Sequence, residues 1–269
     1  MEHDDAVRDE ISSPVWGALG LMLAGFGVGA VVLLLVGPGA APVNLPPTPA
    51  PPGQELAYLP PHAADAPPEI APLVARGRRI LDHTRRELPD ATGSRLDCSS
   101  CHFNAGRTDG GVDGGISLVG VAAARVDLAR RVNECVVANL GGRPLPVDGP
   151  EMEAILVYLT WISSEIPVLA RPPWLGLPEL EAPDADPSRG EEIWRIRCAP
   201  CHGVDGSGTA VAPPAWGPGS FTTASAMRRP ELLASFVALN MPRQNPILEP
   251  AEAAAVAAWV ASRPRPEPG

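Results

Sequence analysis

Cys98-Ser99-Ser100-Cys101-His102 recurs as Cys198-Ala199-Pro200-Cys201-His202, and this repeated Cys-x-x-Cys-His constrains the chain more than any other feature. Two thiols two residues apart reach the two vinyl groups of one porphyrin, and the adjacent His then stands under the iron as its proximal ligand. Zinc knuckles and thioredoxin-like redox pairs also use Cys-x-x-Cys. The second copy, and the lack of the further Cys and His that structural zinc requires, favour haem. The expectation is two covalently bound haem c groups, attached through Cys98, Cys101, Cys198 and Cys201, with His102 and His202 as iron ligands.

Residue arithmetic narrows the remaining chemistry. Of five Cys, four are consumed by the motifs and Cys135 is left over. Of His3, His62, His83, His102 and His202, only His83 is spare within a domain. The 34 Pro, 27 Gly and few aromatics predict short helices and many loops packed on cofactors. A net charge of -10 argues against nucleic acid as a partner. All 21 basic residues are Arg, so no role that needs a Lys can be filled.

Along the chain, residues 1–14 read as a polar cytoplasmic head. Residues 15–36 are continuously apolar or Gly, long enough for a single transmembrane helix of roughly 20 residues; a cleaved signal peptide is the competing reading. Arg8 precedes this span and no Arg follows until Arg76, which keeps the head inside. Covalent haem attachment, completed outside the bacterial inner membrane in c-type cytochromes, agrees. The expected location is an inner-membrane anchor with the haem domains in the periplasm. Residues 37–68 form a Pro-rich tether, extended at about 3.1 Å per residue.

Residues 69–166 read as a first cytochrome c domain. The segment ARGRRILDHTRREL is helical, with Ile80 and Leu81 inward, and Gly77 allows another helix to cross closely. A helix over about 122–139 stops at Gly141-Gly142. The last helix begins at Pro150, with Ile155, Tyr158, Leu159 and Ile162 as its apolar stripe. Residues 167–186 are a linker whose Trp174, Leu175 and Leu177 predict packing along a domain surface. Residues 187–266 replay the pattern, Gly190 and Ile193 echoing Gly77 and Ile80. The fold class is all-α: two tandem cytochrome c-like domains preceded by a transmembrane helix and a tether.

The distal ligands separate the two haems. In the second domain Met241, between a helix end and Pro242, leads over Met227, and a Met/His pair raises the haem potential; either Met could instead fill a core gap. In the first domain the downstream Met152 lies in the first turn of the last helix. Cys135 is the leading candidate, with Arg131 four residues earlier on the same helical face to favour the thiolate. His83 as ligand, a buried inert Cys135 and an intermolecular disulfide are the alternatives.

Taken together, GRRILDHTRRELPDATGSRLDCSSCHFNAG, RVNECVVANLGGRPLP, EMEAILVYLTWIS, CAPCHGVDGSG, PPAWGPGSF and NMP resemble TsdA-type thiosulfate dehydrogenases over most of residues 70–266. That resemblance implies a dihaem enzyme coupling two thiosulfates to tetrathionate or catalysing the reverse. It implies Cys135 as distal ligand of the catalytic haem, Met241 as ligand of the electron-transfer haem, and another cytochrome c as redox partner. SoxA cytochromes share the His/Cys haem; a SoxA-like subunit and a non-catalytic membrane-tethered electron carrier are the other readings. The family's middle motif continues from Cys with an aromatic, a basic residue and Ser, whereas Val136-Val137-Ala138-Asn139 follows here. Arg107, Arg125, Arg131 and Arg143 are the candidate cations for the dianionic substrate.

Overall fold

Two glycines set where the helices cross. Helix α1 (Ala71–Asp82) buries Val74, Gly77, Ile80 and Leu81 on one face, and helix α3 (Pro150–Trp161) lies across it. A Cβ on Gly77 would stand 2.1 Å from the Ala154 carbonyl oxygen and 2.6 Å from the Tyr158 Cβ. The crossing is therefore a backbone-to-backbone approach that only Gly permits. The second half repeats it: helix α4 (Pro187–Ile193) meets helix α6 (Pro250–Ala261), and a Cβ on Gly190 would stand 2.1 Å from the Ala255 carbonyl oxygen and 2.9 Å from the Trp259 Cβ.

The computed structural model describes residues 60–107, 115–124, 126–170, 172, 174–177, 180, 185–243 and 245–269. These fall within one unit, Pro51–Gly269. Among them the regular structure is helical, and the β-type pairing is an isolated bridge between Ser117 and Leu175. Helix α2 (Leu128–Leu140) starts where the Asp127 side chain accepts the Arg130 N–H at 3.0 Å, and stops at Gly141 in the left-handed region. Helix α5 (Pro230–Asn240) packs on α6. Each of α3, α5 and α6 has Pro at its start and acids in its first turn, which complement the unpaired N–H groups there.

Each half buries its own apolar cluster. In the first, the stripe Ile155, Tyr158, Leu159 and Ile162 is buried against Val74, Ile80 and Leu81. At about 1.5–3 kcal/mol for each large side chain taken from water, this cluster is the main force holding α1 on α3. In the second, Trp194, Trp216 and Trp259 form a triad with centroids 4.6, 5.0 and 5.5 Å apart. Phe103 belongs to the first half by sequence, yet it packs in the second cluster, edge-on to Phe236 at 6.1 Å and under the Arg243 guanidinium. Backbone bonds such as Arg95 N–H to the Gly219 carbonyl, 2.7 Å, fasten the same junction.

The expected architecture is corrected in one part. The longest helix among the described residues, α2, has 13 residues and is about 20 Å long, short of the roughly 30 Å of a bilayer's hydrocarbon core. No described helix is long and apolar enough to cross a membrane. The transmembrane helix, and with it the membrane as a partner, is not supported; residues 15–36, the head and most of the tether lie outside the described residues. Helix boundaries shift by smaller amounts. The expected helix over 122–139 is a short turn, Val121–Ala124, followed by α2. The segment SRGEEIWRIR passes from α4 into a wider π-type turn, Trp194–Cys198.

Candidate functional site

The first Cys-x-x-Cys-His sits on a tight turn, Cys98–Ser100, whose shape is fixed by neighbours. Asp97 donates its backbone N–H to the Ser100 hydroxyl at 3.0 Å, and its carboxylate accepts from the Arg85 N–H at 2.8 Å. Buried Thr84 accepts the Cys98 N–H at 2.9 Å, and Ser99 donates to the Asp82 carbonyl at 3.1 Å. Helix α1 and its continuation thereby present both thiols to one side. Beyond His102 the chain reverses through Asn104 and Ala105, both at positive φ. For Ala this conformation is strained, and the buried Tyr158 hydroxyl holds it by donating to the Ala105 carbonyl at 3.1 Å.

Both motif histidines are oriented in the same way. His102 Nδ1 lies 2.8 Å from the Ile116 carbonyl oxygen, and His202 Nδ1 lies 2.8 Å from the Pro213 carbonyl oxygen. A carbonyl only accepts, so Nδ1 carries the hydrogen in each ring and Nε2 keeps its lone pair for a metal. Burial lowers the pKa of both imidazoles, which favours the neutral, ligating form.

A cavity of about 230 Å³ opens beside the first motif, lined by Cys98, Cys101, His102, Cys135 and Asn139 among others. A second, of about 350 Å³, is lined by Cys198, Cys201, His202, Met241 and Trp194 among others. Each therefore gathers the two thiols and the imidazole of its own motif together with further sulfurs, Cys135 and Met227 in the first and Met241, Met227 and Cys101 in the second, and so contains the donor set of a c-type haem with a sulfur ligand. The Trp194 side chain forms part of the wall of the second cavity. Among the described residues no group of three His, Cys, Asp or Glu closes around a bare ion. The residues present fit haem c.

Burial favours the neutral form of three of the motif thiols. It pushes Cys98 and Cys101 up to about 12 and Cys198 up to about 11. Cys135 is also pushed up by burial, opposed by a hydrogen bond from Asn139 and by the charge of Arg131.

Of the residues expected at the first site, Cys135 lies in the cavity wall with the motif. Arg131 does not: its side chain is 63% exposed and binds Glu134 at 3.2 Å. Arg107 is held by the carbonyls of Pro60 and Pro61, Arg143 is exposed, and Arg125 lies outside the described residues. His83 lines a separate hollow with Arg85, Arg86 and Asp97. Met152 is fully buried in the first core. In the second half Met241 reaches the cavity at the end of α5, while Met227 lines both cavities together with Leu96 and Cys101. Leu177 of the linker also reaches the first cavity, and Trp174 donates to the Val119 carbonyl at 3.1 Å.

Two polar residues at this site were not anticipated. Asn139 donates from Nδ2 to the Cys135 sulfur at 3.1 Å, and the Ser225 hydroxyl donates to Asn139 Oδ1. Asn139 lies four residues after Cys135, on the same face of α2, a spacing that identifies it as a neighbour. Nothing local in the sequence points to Ser225.

Known proteins resemble this chain in sequence and in fold. Residues 185–260 match the family described as cytochrome c oxidase, cbb3-type, subunit III. A thiosulfate dehydrogenase of Allochromatium vinosum is 36% identical over 211 residues, covering 72% of this chain and 78% of that protein. Another, of Stutzerimonas stutzeri, is 30% identical over 228 residues, 79% of this chain and 74% of its own. Among solved structures, thiosulfate dehydrogenase (TsdBA) from Marichromatium purpuratum, as isolated, superposes with a TM-score of 0.69 at 26% identity. The match covers 76% of this chain and 48% of that one, so this chain spans about half of the solved protein.

Proposed function

The chain belongs to the thiosulfate dehydrogenase family, and we propose that it is a periplasmic dihaem c-type cytochrome that oxidises thiosulfate to tetrathionate or catalyses the reverse. Residues 69–166 and 187–266 each form a cytochrome c unit around one haem, joined by 167–186. Cys98 and Cys101 carry the first haem and Cys198 and Cys201 the second. His102 and Cys135 would be the iron donors at the first haem, and His202 and Met241 those at the second. The observation that carries this reading is the Cys135 sulfur in one cavity wall with Cys98, Cys101 and His102.

Two thiosulfates join through one new sulfur–sulfur bond and release two electrons, with no proton to place. The haems supply the acceptor for those electrons. Cys135 supplies a polarisable sulfur where the substrate sulfur must arrive, and Leu177, Leu232 and Ala226 keep that wall apolar. Leu96, Cys101 and Met227 are common to both cavity walls, which supports passage from the first haem to the second. Met241, as a thioether ligand, would raise the second haem's potential above that of a His/thiolate haem. A second c-type cytochrome then takes the electrons onward.

The test is steady-state turnover by holoprotein with thiosulfate and a c-type cytochrome as acceptor, tetrathionate being measured directly. Wild-type protein forms tetrathionate and Cys135→Ala does not. A wild-type protein reducible by dithionite but inert to thiosulfate and to tetrathionate is instead an electron carrier.

A further inference from the structure

Asn139 and Ser225 form a hydrogen-bonded relay with one polarity. The Met227 backbone N–H donates to the Ser225 Oγ at 3.1 Å, so the hydroxyl hydrogen is free to be given to Asn139 Oδ1. With its oxygen thus engaged, the Asn139 amide turns its N–H towards the Cys135 sulfur, 3.1 Å away. Ser225 is 1% exposed, so its hydroxyl has no ready supply of water as a substitute partner. Asn139 and Cys135 belong to α2, whereas Ser225 and Met227 belong to the second half of the chain. The relay therefore ties a sulfur in the first cavity to a turn whose Met227 lines both.

Resting on Cys135 as the distal ligand, we infer that Asn139, locked by Ser225 across the junction of the two halves, is a positioning residue that holds the Cys135 sulfur on the first haem. A ligand sulfur has lone pairs left after binding iron, and a donor to one of them fixes the side chain's rotamer and withdraws charge from the metal–sulfur bond. The Asn is placed to do both, and it stands where the family's middle motif has diverged. Thr222, whose carbonyl accepts the Ser225 N–H at 3.1 Å, supplies a second kind of bond across the same junction: its hydroxyl and its backbone N–H donate to the Ala138 carbonyl at 2.7 and 3.1 Å, neither touching Asn139, and Thr222→Val removes only the hydroxyl bond. That bond separates positioning of the sulfur from general fastening of the halves.

The experiment is low-temperature electron paramagnetic resonance of oxidised holoprotein, with haem content per chain measured alongside as the check on folding. Wild-type protein shows a low-spin His/thiolate species beside a His/Met species. In Asn139→Ala and Asn139→Asp the His/thiolate species falls roughly tenfold, the scale on which groups behind a metal ligand act. Ser225→Ala lowers it, Ser225→Thr restores it, Thr222→Val leaves it unchanged, and the His/Met species is constant throughout. Asn139 variants with wild-type spectra overturn the inference, and so does Thr222→Val if it reproduces Ser225→Ala. A wild-type protein without a His/thiolate species overturns the ligand reading itself, and this inference with it.

Discussion

Replacing Gly190 by Ala separates two effects of opposite sign. In an isolated helix the change is stabilising by about 1 kcal/mol, because Gly has more backbone freedom to lose. In this fold the new Cβ lands 2.1 Å from the Ala255 carbonyl oxygen, whereas ordinary contact begins near 3.4 Å. The obstacle is backbone, so α4 and α6 must part by about 1.3 Å. A gap of that order removes at least a quarter to a half of the attraction between atoms facing across the crossing. Overpacking of this kind costs about 1–3 kcal/mol, and an obstacle made of backbone places this one at the upper end. The net expectation is a loss of about 2 kcal/mol, or about 5 °C in midpoint for a chain of this size. Gly77→Ala, with the Ala154 carbonyl oxygen also at 2.1 Å, should behave alike in the first half. Thermal unfolding of holoprotein followed by far-ultraviolet circular dichroism measures both. A midpoint equal to or above that of wild type would refute the crossing geometry, since helix propensity alone would then be acting.

Two further outcomes follow from single contacts. Tyr158→Phe deletes the hydroxyl that holds the Ala105 carbonyl and should cost about 1–3 kcal/mol in denaturant unfolding, through an unsatisfied buried acceptor; an unchanged midpoint would show that the positive-φ turn needs no such support. Met241→Ala should lower the potential of one haem in a redox titration and leave the other unchanged; equal potentials in wild type and variant would remove Met241 from the iron.

What the sequence made legible was local or repeated. The stripe Ile155, Tyr158, Leu159 and Ile162 follows from helical period, and all four are buried. Gly77 and Gly190 stand at matching places before the two motifs, and each marks a helix crossing. Long flexible side chains were less readable. Helical spacing puts Arg131 on the Cys135 face, but its guanidinium reaches outward to Glu134, where solvation costs nothing. Arg107, one of four candidate cations, has its guanidinium on the carbonyls of Pro60 and Pro61. Ser225 and Met227 were illegible for another reason: their place beside the first cavity depends on how the two halves dock. Phe103, from the first half, packs in the second half's core, so that docking is a property of neither half alone.

In the proposed reaction the haem facing Cys135 would take electrons from thiosulfate and pass them to the haem facing Met241. Anaerobic mixing of fully oxidised holoprotein with excess thiosulfate, followed by absorbance of the reduced haem band, tests it most directly. The expected result is rapid partial reduction in wild type, carried largely by the Met241 haem, and none in Cys135→Ala, although dithionite reduces both proteins. Thiosulfate reduction at the same rate and extent in Cys135→Ala would contradict it.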